Sequence, residues 1–104
     1  MLMAEVKLNF QWRKLRLSSK FILPKLIGHR GVKNLKPENT LESITKAFDL
    51  GLECVEIDVK VSKDSIPLLL HDDTLDRTTN GTGLVCDFTF DQINYLDAGY
   101  YFYN

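Results

Sequence analysis

Histidine and cysteine are scarce in this chain, with two of each among 104 residues. Cys54 and Cys86 stand apart, with no C-x-x-C pair and no metal-ligand spacing, so nothing in them demands an oxidising compartment. Cys54 opens an apolar segment and reads as a small packed hydrophobe. The lack of His-rich or Cys-rich spacing argues against zinc. No apolar run approaches the ~18 residues of a membrane span. Trp12-Arg13-Lys14-Leu15-Arg16 interrupts any apolar core of a secretory signal, and a cytoplasmic location follows by default. There is no internal repeat, no low-complexity tract and no Walker spacing. A chain of 104 residues allows one domain with a modest core.

Charge of one sign is missing only on average. The net charge is −1, yet residues 1–25 carry six bases against Glu5, and the rest carry seven bases against thirteen acids. We read residues 1–24 as a solvated basic extension, with Pro24 marking the boundary, and residues 25–104 as the folded part. Contact of residues 1–25 with an anionic membrane surface is the alternative; no nucleic-acid partner is expected.

The folded part alternates strand and helix signals. Lys25–Gly28 is a short apolar strand running into Gly28-His29-Arg30-Gly31. Asn39, with Glu42 three residues on, predicts a helix start; Leu41, Ile44, Ala47 and Phe48 share a face, and Gly51 suits the exit. Cys54–Val61 alternates strictly, with Glu56, Asp58 and Lys60 on one face and Val55, Ile57, Val59 and Val61 on the other. Alone this fits a half-exposed antiparallel strand. After a strand and a helix it equally fits a parallel barrel strand whose apolar face meets outer helices. Ile66–Leu70 predicts a third strand, whose Leu68, Leu69 and Leu70 would await cover from a further one. Thr89 and Gln92 form a second capping box, with Phe88 and Ile93 at its staple positions and Gly99 at the exit. The chain reaches Tyr100-Tyr101-Phe102-Tyr103 as an aromatic run.

His29 and His71 each follow a predicted strand, where parallel α/β architectures keep their chemistry. Two imidazoles can act as base and acid near neutral pH. Arg30 beside His29 offers a planar fork for phosphate oxygens. Glu56 and Asp58 lie two apart on a strand, so they leave the same face. Two such carboxylates suit a hard divalent cation, Mg²⁺ or Ca²⁺, although a solvated strand face is the plainer alternative. Asp72 could orient His71. Arg77–Gly83 reads as a Gly-rich turn supporting the exit of the third strand. The ensemble points to a phosphodiester-cleaving centre.

Gly28-His29-Arg30-Gly31, Pro37-Glu38-Asn39-Thr40, Glu56-Ile57-Asp58, His71-Asp72 and Leu75–Gly83, with Leu96-Asp97-Ala98-Gly99, together resemble the glycerophosphodiester phosphodiesterase family. The resemblance implies an α/β fold, the N-terminal portion of a TIM-type (β/α)8 barrel cut after about three strands, since such barrels run to about 250 residues. It implies metal-dependent hydrolysis of glycerophosphodiesters to glycerol 3-phosphate and an alcohol. His29 and His71 would be catalytic, Arg30 would bind phosphate, and Glu56 and Asp58 would hold the cation. A third metal carboxylate, a lysine and the other strands would lie beyond residue 104. The rival expectation is a non-catalytic remnant, or a subunit that needs a second chain to complete the barrel.

Overall fold

Short connections decide much of the topology. The computed structural model describes residues 24–104, so the basic extension lies outside the described residues except for Pro24. Strand β1 (Gly28–His29) pairs in parallel with β2 (Val55–Glu56), setting His29 opposite Glu56. Between them runs helix α1 (Leu41–Asp49), the crossover that a parallel pair requires.

Helix α1 begins one residue later than the sequence suggests. Thr40, in an extended conformation, is its cap: its Oγ1 accepts from the Ser43 amide at 3.2 Å and donates to the Pro37 carbonyl at 2.6 Å. Asn39 cannot take that role because its backbone is left-handed, at φ 56°. The exit follows the expectation. Gly51 adopts φ 86°, its amide donates to Phe48 O at 2.9 Å, and Leu52 N donates to Ala47 O at 3.1 Å. These two bonds are the Schellman pair.

The alternating segment is not one strand. It divides at Ile57-Asp58: β2 continues the parallel pair, while β3 (Val59–Val61) pairs antiparallel with β4 (Pro67–Leu69). The Asp58 amide donates to the Asn39 side chain, and the Asp58 carbonyl accepts from Leu70. A tight reversal then closes the hairpin, with Ser62 Oγ bonded to both the amide and the carbonyl of Ile66 and Ser65 at φ 64°. So short a link excludes a parallel crossover, which takes a dozen residues or more.

The core lies beside β4. Leu68, Leu70, Leu75, Val85, Phe90, Ile93 and Ala98 form one buried cluster, flanked by Ile66, Phe88 and Leu96. Leu68, Leu69 and Leu70 are all buried, contrary to the expectation that they would lack cover. The 3₁₀ turn at Val85–Asp87 and α2 (Phe90–Asn94) contribute Val85, Phe90 and Ile93 to that cluster. Each such large apolar side chain contributes roughly 1.5–3 kcal/mol by leaving water. Helix α2 starts at the expected capping box, Thr89 with Gln92. Gly99 caps a further short helix, α3 (Tyr100–Tyr103). The apolar face expected to meet outer helices is instead open: Ile57, Val59 and Val61 are exposed. Among the described residues no helix is long and apolar enough to cross a membrane.

Candidate active site

Arg30 organises one half of the site. Past β1 the chain turns left-handed at Arg30 (φ 53°) and Gly31 (φ 81°). This conformation costs a non-glycine residue roughly 1–2 kcal/mol. It aims the Arg30 amide at Glu56 Oε2 (3.2 Å), while the Arg30 carbonyl accepts from the Asn39 amide and from Ser43 Oγ, both at 3.0 Å. The side chain is largely covered. Nη1 donates to Glu38 Oε1 at 3.0 Å, and Nε lies 3.1 Å from Asp58 Oδ2 at an angle too bent for a hydrogen bond. The fork expected to meet phosphate is therefore already shared between two carboxylates.

Glu56 and Asp58 both approach Arg30, Glu56 at its amide and Asp58 at its side chain, although the break after β2 means they do not share the face of one strand as expected. Asn39 holds Asp58 from two sides, donating Nδ2 to Oδ2 at 2.9 Å and accepting the Asp58 amide at Oδ1 at 3.0 Å. His29 Nε2 lies 3.9 Å from Glu56 Oε2, inside ion-pair range when the ring is protonated. Lys60, read as part of the same solvated face, pairs with Asp73 at 2.5 Å.

His71 joins the same network from the other side. Its Nδ1 lies 2.7 Å from Asp72 Oδ1. Arg77 grips that carboxylate with Nε on Oδ2 (2.8 Å) and Nη2 on Oδ1 (2.9 Å). Its Nη1 and Nη2 also reach Glu38 Oε2 and Oε1, at 3.0 and 2.8 Å. The Arg77 hydrogen bonds, with help from His71, hold Asp72 far below the usual carboxylate range. Arg77, and then Arg30, hold Glu38 down in the same way, against the opposing effect of burial. Arg77 is in turn pushed up by Asp72 and Glu38. One chain of contacts therefore runs from His71 through Asp72, Arg77, Glu38 and Arg30 to Asp58, Glu56 and His29.

Glu38, Asn39 and Arg77 were not singled out for the site by sequence reasoning. Pro37-Glu38-Asn39-Thr40 reads as a helix start, and Arg77 as part of a turn. The turn reading is right for its neighbours: Thr79 is buried, its Oγ1 donates to Leu75 O at 2.7 Å, and Gly83 N donates to Asp76 at 3.0 Å. Only proximity in space reveals the rest, because Glu38 and Arg77 are 39 residues apart.

The two carboxylates offer hard oxygen donors of the kind Mg²⁺ and Ca²⁺ prefer. They fit such a cation in kind but not in number. Among the described residues no group of three or more His, Cys, Asp or Glu is close enough to hold a metal.

The architecture and the site define a class before they define a family: a strand–helix–strand unit of a TIM-type barrel, with imidazole, guanidinium and carboxylate groups gathered past its strands. The Glycerophosphoryl diester phosphodiesterase family profile matches residues 29–103, and the chain belongs to that family. It is 47% identical over 74 residues to a glycerophosphodiester phosphodiesterase of Caldanaerobacter subterraneus, covering 71% of this chain and 30% of that one. It is 51% identical over 71 residues to glycerophosphodiester phosphodiesterase 1 of Homo sapiens, covering 68% of this chain and 22% of the relative. It superposes with a TM-score of 0.74, at 42% identity, on the crystal structure of a glycerophosphodiester phosphodiesterase from Agrobacterium tumefaciens, covering 77% of this chain and 35% of that one. The chain thus spans a third or less of the length of these curated relatives.

Proposed function

We propose that this chain carries the acid–base and carboxylate half of a centre that hydrolyses glycerophosphodiesters, deacylated phospholipids, to glycerol 3-phosphate and an alcohol. The observation that supports it most is the unbroken run of contacts linking His71 to Arg30, Glu56 and His29. In this reading His29 takes the proton of the attacking oxygen as that oxygen bonds to phosphorus. The bond from phosphorus to the alcohol oxygen breaks, and His71 Nε2–H protonates the departing alkoxide. Arg30 contributes guanidinium charge beside the phosphate oxygens. Glu56 and Asp58 would hold Mg²⁺ or Ca²⁺, which when bound neutralises charge on those oxygens. Its remaining ligands would be water, substrate or protein groups outside these residues.

A chimera tests the reading: residues 29–103 replace the matching segment of the Caldanaerobacter relative. EDTA-sensitive release of glycerol 3-phosphate from glycerophosphodiesters is expected. A folded chimera with no such turnover would sink the proposal. The same assay on the chain alone, and on a mixture with the relative lacking that segment, distinguishes autonomous activity from completion by a second chain.

A further inference from the structure

We infer that Arg77 is the positioning residue for His71: through its fork on Asp72 it fixes the imidazole as the Nδ1–H form and keeps Nε2 for the leaving group. The inference rests on the acid role proposed above for His71, and it concerns a residue that neither touches the reacting atoms nor belongs to the histidine pair.

The geometry carries the argument. Asp72 accepts from Arg77 on both oxygens, at 2.8 and 2.9 Å, so its carboxylate plane is fixed relative to the guanidinium. Oδ1 then faces His71 Nδ1 at 2.7 Å. An ionised carboxylate can only accept, so the proton in that contact sits on Nδ1. Among the described residues Nε2 of His71 has no hydrogen-bond partner. Arg77 is itself prevented from swinging away, because Nη1 and Nη2 are anchored on Glu38, which also binds Arg30. A lone Asp72 next in sequence to His71 could rotate into solvent, whereas one held by a guanidinium anchored on a second carboxylate cannot do so freely. The proton balance is consistent with this arrangement. When Nε2–H of the imidazolium passes to the alkoxide, an N–H bond breaks and an O–H bond forms. The ring is left neutral with its remaining proton on Nδ1, the form Asp72 stabilises.

The test is read on the full chain without substrate, so an inactive chimera would leave it intact. Nitrogen-15 NMR of the neutral His71 ring in the wild-type chain is expected to show a protonated Nδ1 and a bare Nε2. Arg77→Gln should move the ratio several-fold toward Nε2–H, the form free imidazole side chains favour. Amide signals of the core around Leu68 and Ile93 should stay in place. Asp72→Asn, which replaces the anion with a neutral amide, should shift the ratio in the same direction and decides the matter if Arg77→Gln fails to fold. A wild-type ring already dominated by Nε2–H would overturn the inference. So would an unchanged ratio in a folded Arg77→Gln or Asp72→Asn chain.

Discussion

Asn39 and Asp58 hold each other in both directions, side chain to side chain at 2.9 Å and backbone to side chain at 3.0 Å. The pair fastens the loop before α1 to the break between β2 and β3, and Asn39 meets it from a left-handed backbone at φ 56°. Asn39→Ala removes two hydrogen bonds worth about 1 kcal/mol each and adds left-handed strain of roughly 1–2 kcal/mol, so a loss of about 2–4 kcal/mol is expected. Asn39→Gly loses the bonds without the strain and should be milder by roughly 1 kcal/mol. Urea unfolding midpoints at unchanged slope would measure both. Equal losses would show that the left-handed backbone contributes nothing.

Two glycines with nearly the same φ should respond very differently to alanine. Gly31, at φ 81°, would place a Cβ 2.4 Å from Ser43 Oγ and 2.7 Å from the Ser43 carbonyl carbon. Gly51, at φ 86°, has nothing within 4 Å of that point. Gly51→Ala should therefore cost only the left-handed penalty, roughly 1–2 kcal/mol. Gly31→Ala should cost clearly more and should also disturb the Arg30 turn, visible as shifted His29 and Arg30 amides. Indistinguishable unfolding midpoints for the two variants would refute the close approach of α1 to that turn.

Acid should loosen the network from the carboxylate side. Asp72 and Glu38 have folded-state pKa values below their unfolded ones, so the stability they confer is complete above the ordinary carboxylate range. It is lost as pH falls through the ordinary range toward their depressed folded values. We expect the urea midpoint to drop between neutral pH and acid, and Arg77→Gln to flatten that drop, because Arg77 is the main cause of both shifts. An identical acid limb in the variant would remove Arg77 from the account.

In the chimera, His29→Ala and His71→Ala should each lower turnover by roughly two to four orders of magnitude, the usual reach of a general acid or base. Glu56→Gln should instead weaken the dependence on added Mg²⁺ or Ca²⁺, since it keeps shape while removing an anionic donor. Near-normal rates in both histidine variants would refute their assigned roles. An unchanged metal titration would exclude Glu56 from the cation site.

Local signals were legible in the sequence and distant pairings were not. The Thr89–Gln92 box and the Gly51 exit involve residues a few positions apart, so composition alone points to them. The parallel union of β1 and β2 follows from the helix between them. The break at Ile57-Asp58 escaped because alternation continues through it unaltered; only the Asn39 side chain, 19 residues back, removes that amide from a strand ladder. The β3–β4 hairpin had a visible cue in Ser62-Lys63-Asp64-Ser65, too short a link for any parallel return. Asn39 was misplaced as a cap because capping preference does not separate it from Thr40 beside it. The basic segment 1–23 lies outside the described residues.

Glu38, Asp72, Glu56 and Asp58 bring four carboxylates to a cluster in which Arg30 and Arg77 are the two guanidiniums. With neutral imidazoles that ensemble carries excess negative charge, and Arg77 has already spent most of its donors on it. Such a mouth repels a free phosphodiester. A divalent cation would level the field, so on the proposed reading cation and substrate behave as partners in entry: each should raise the affinity for the other, and inorganic anions alone should find little to hold them.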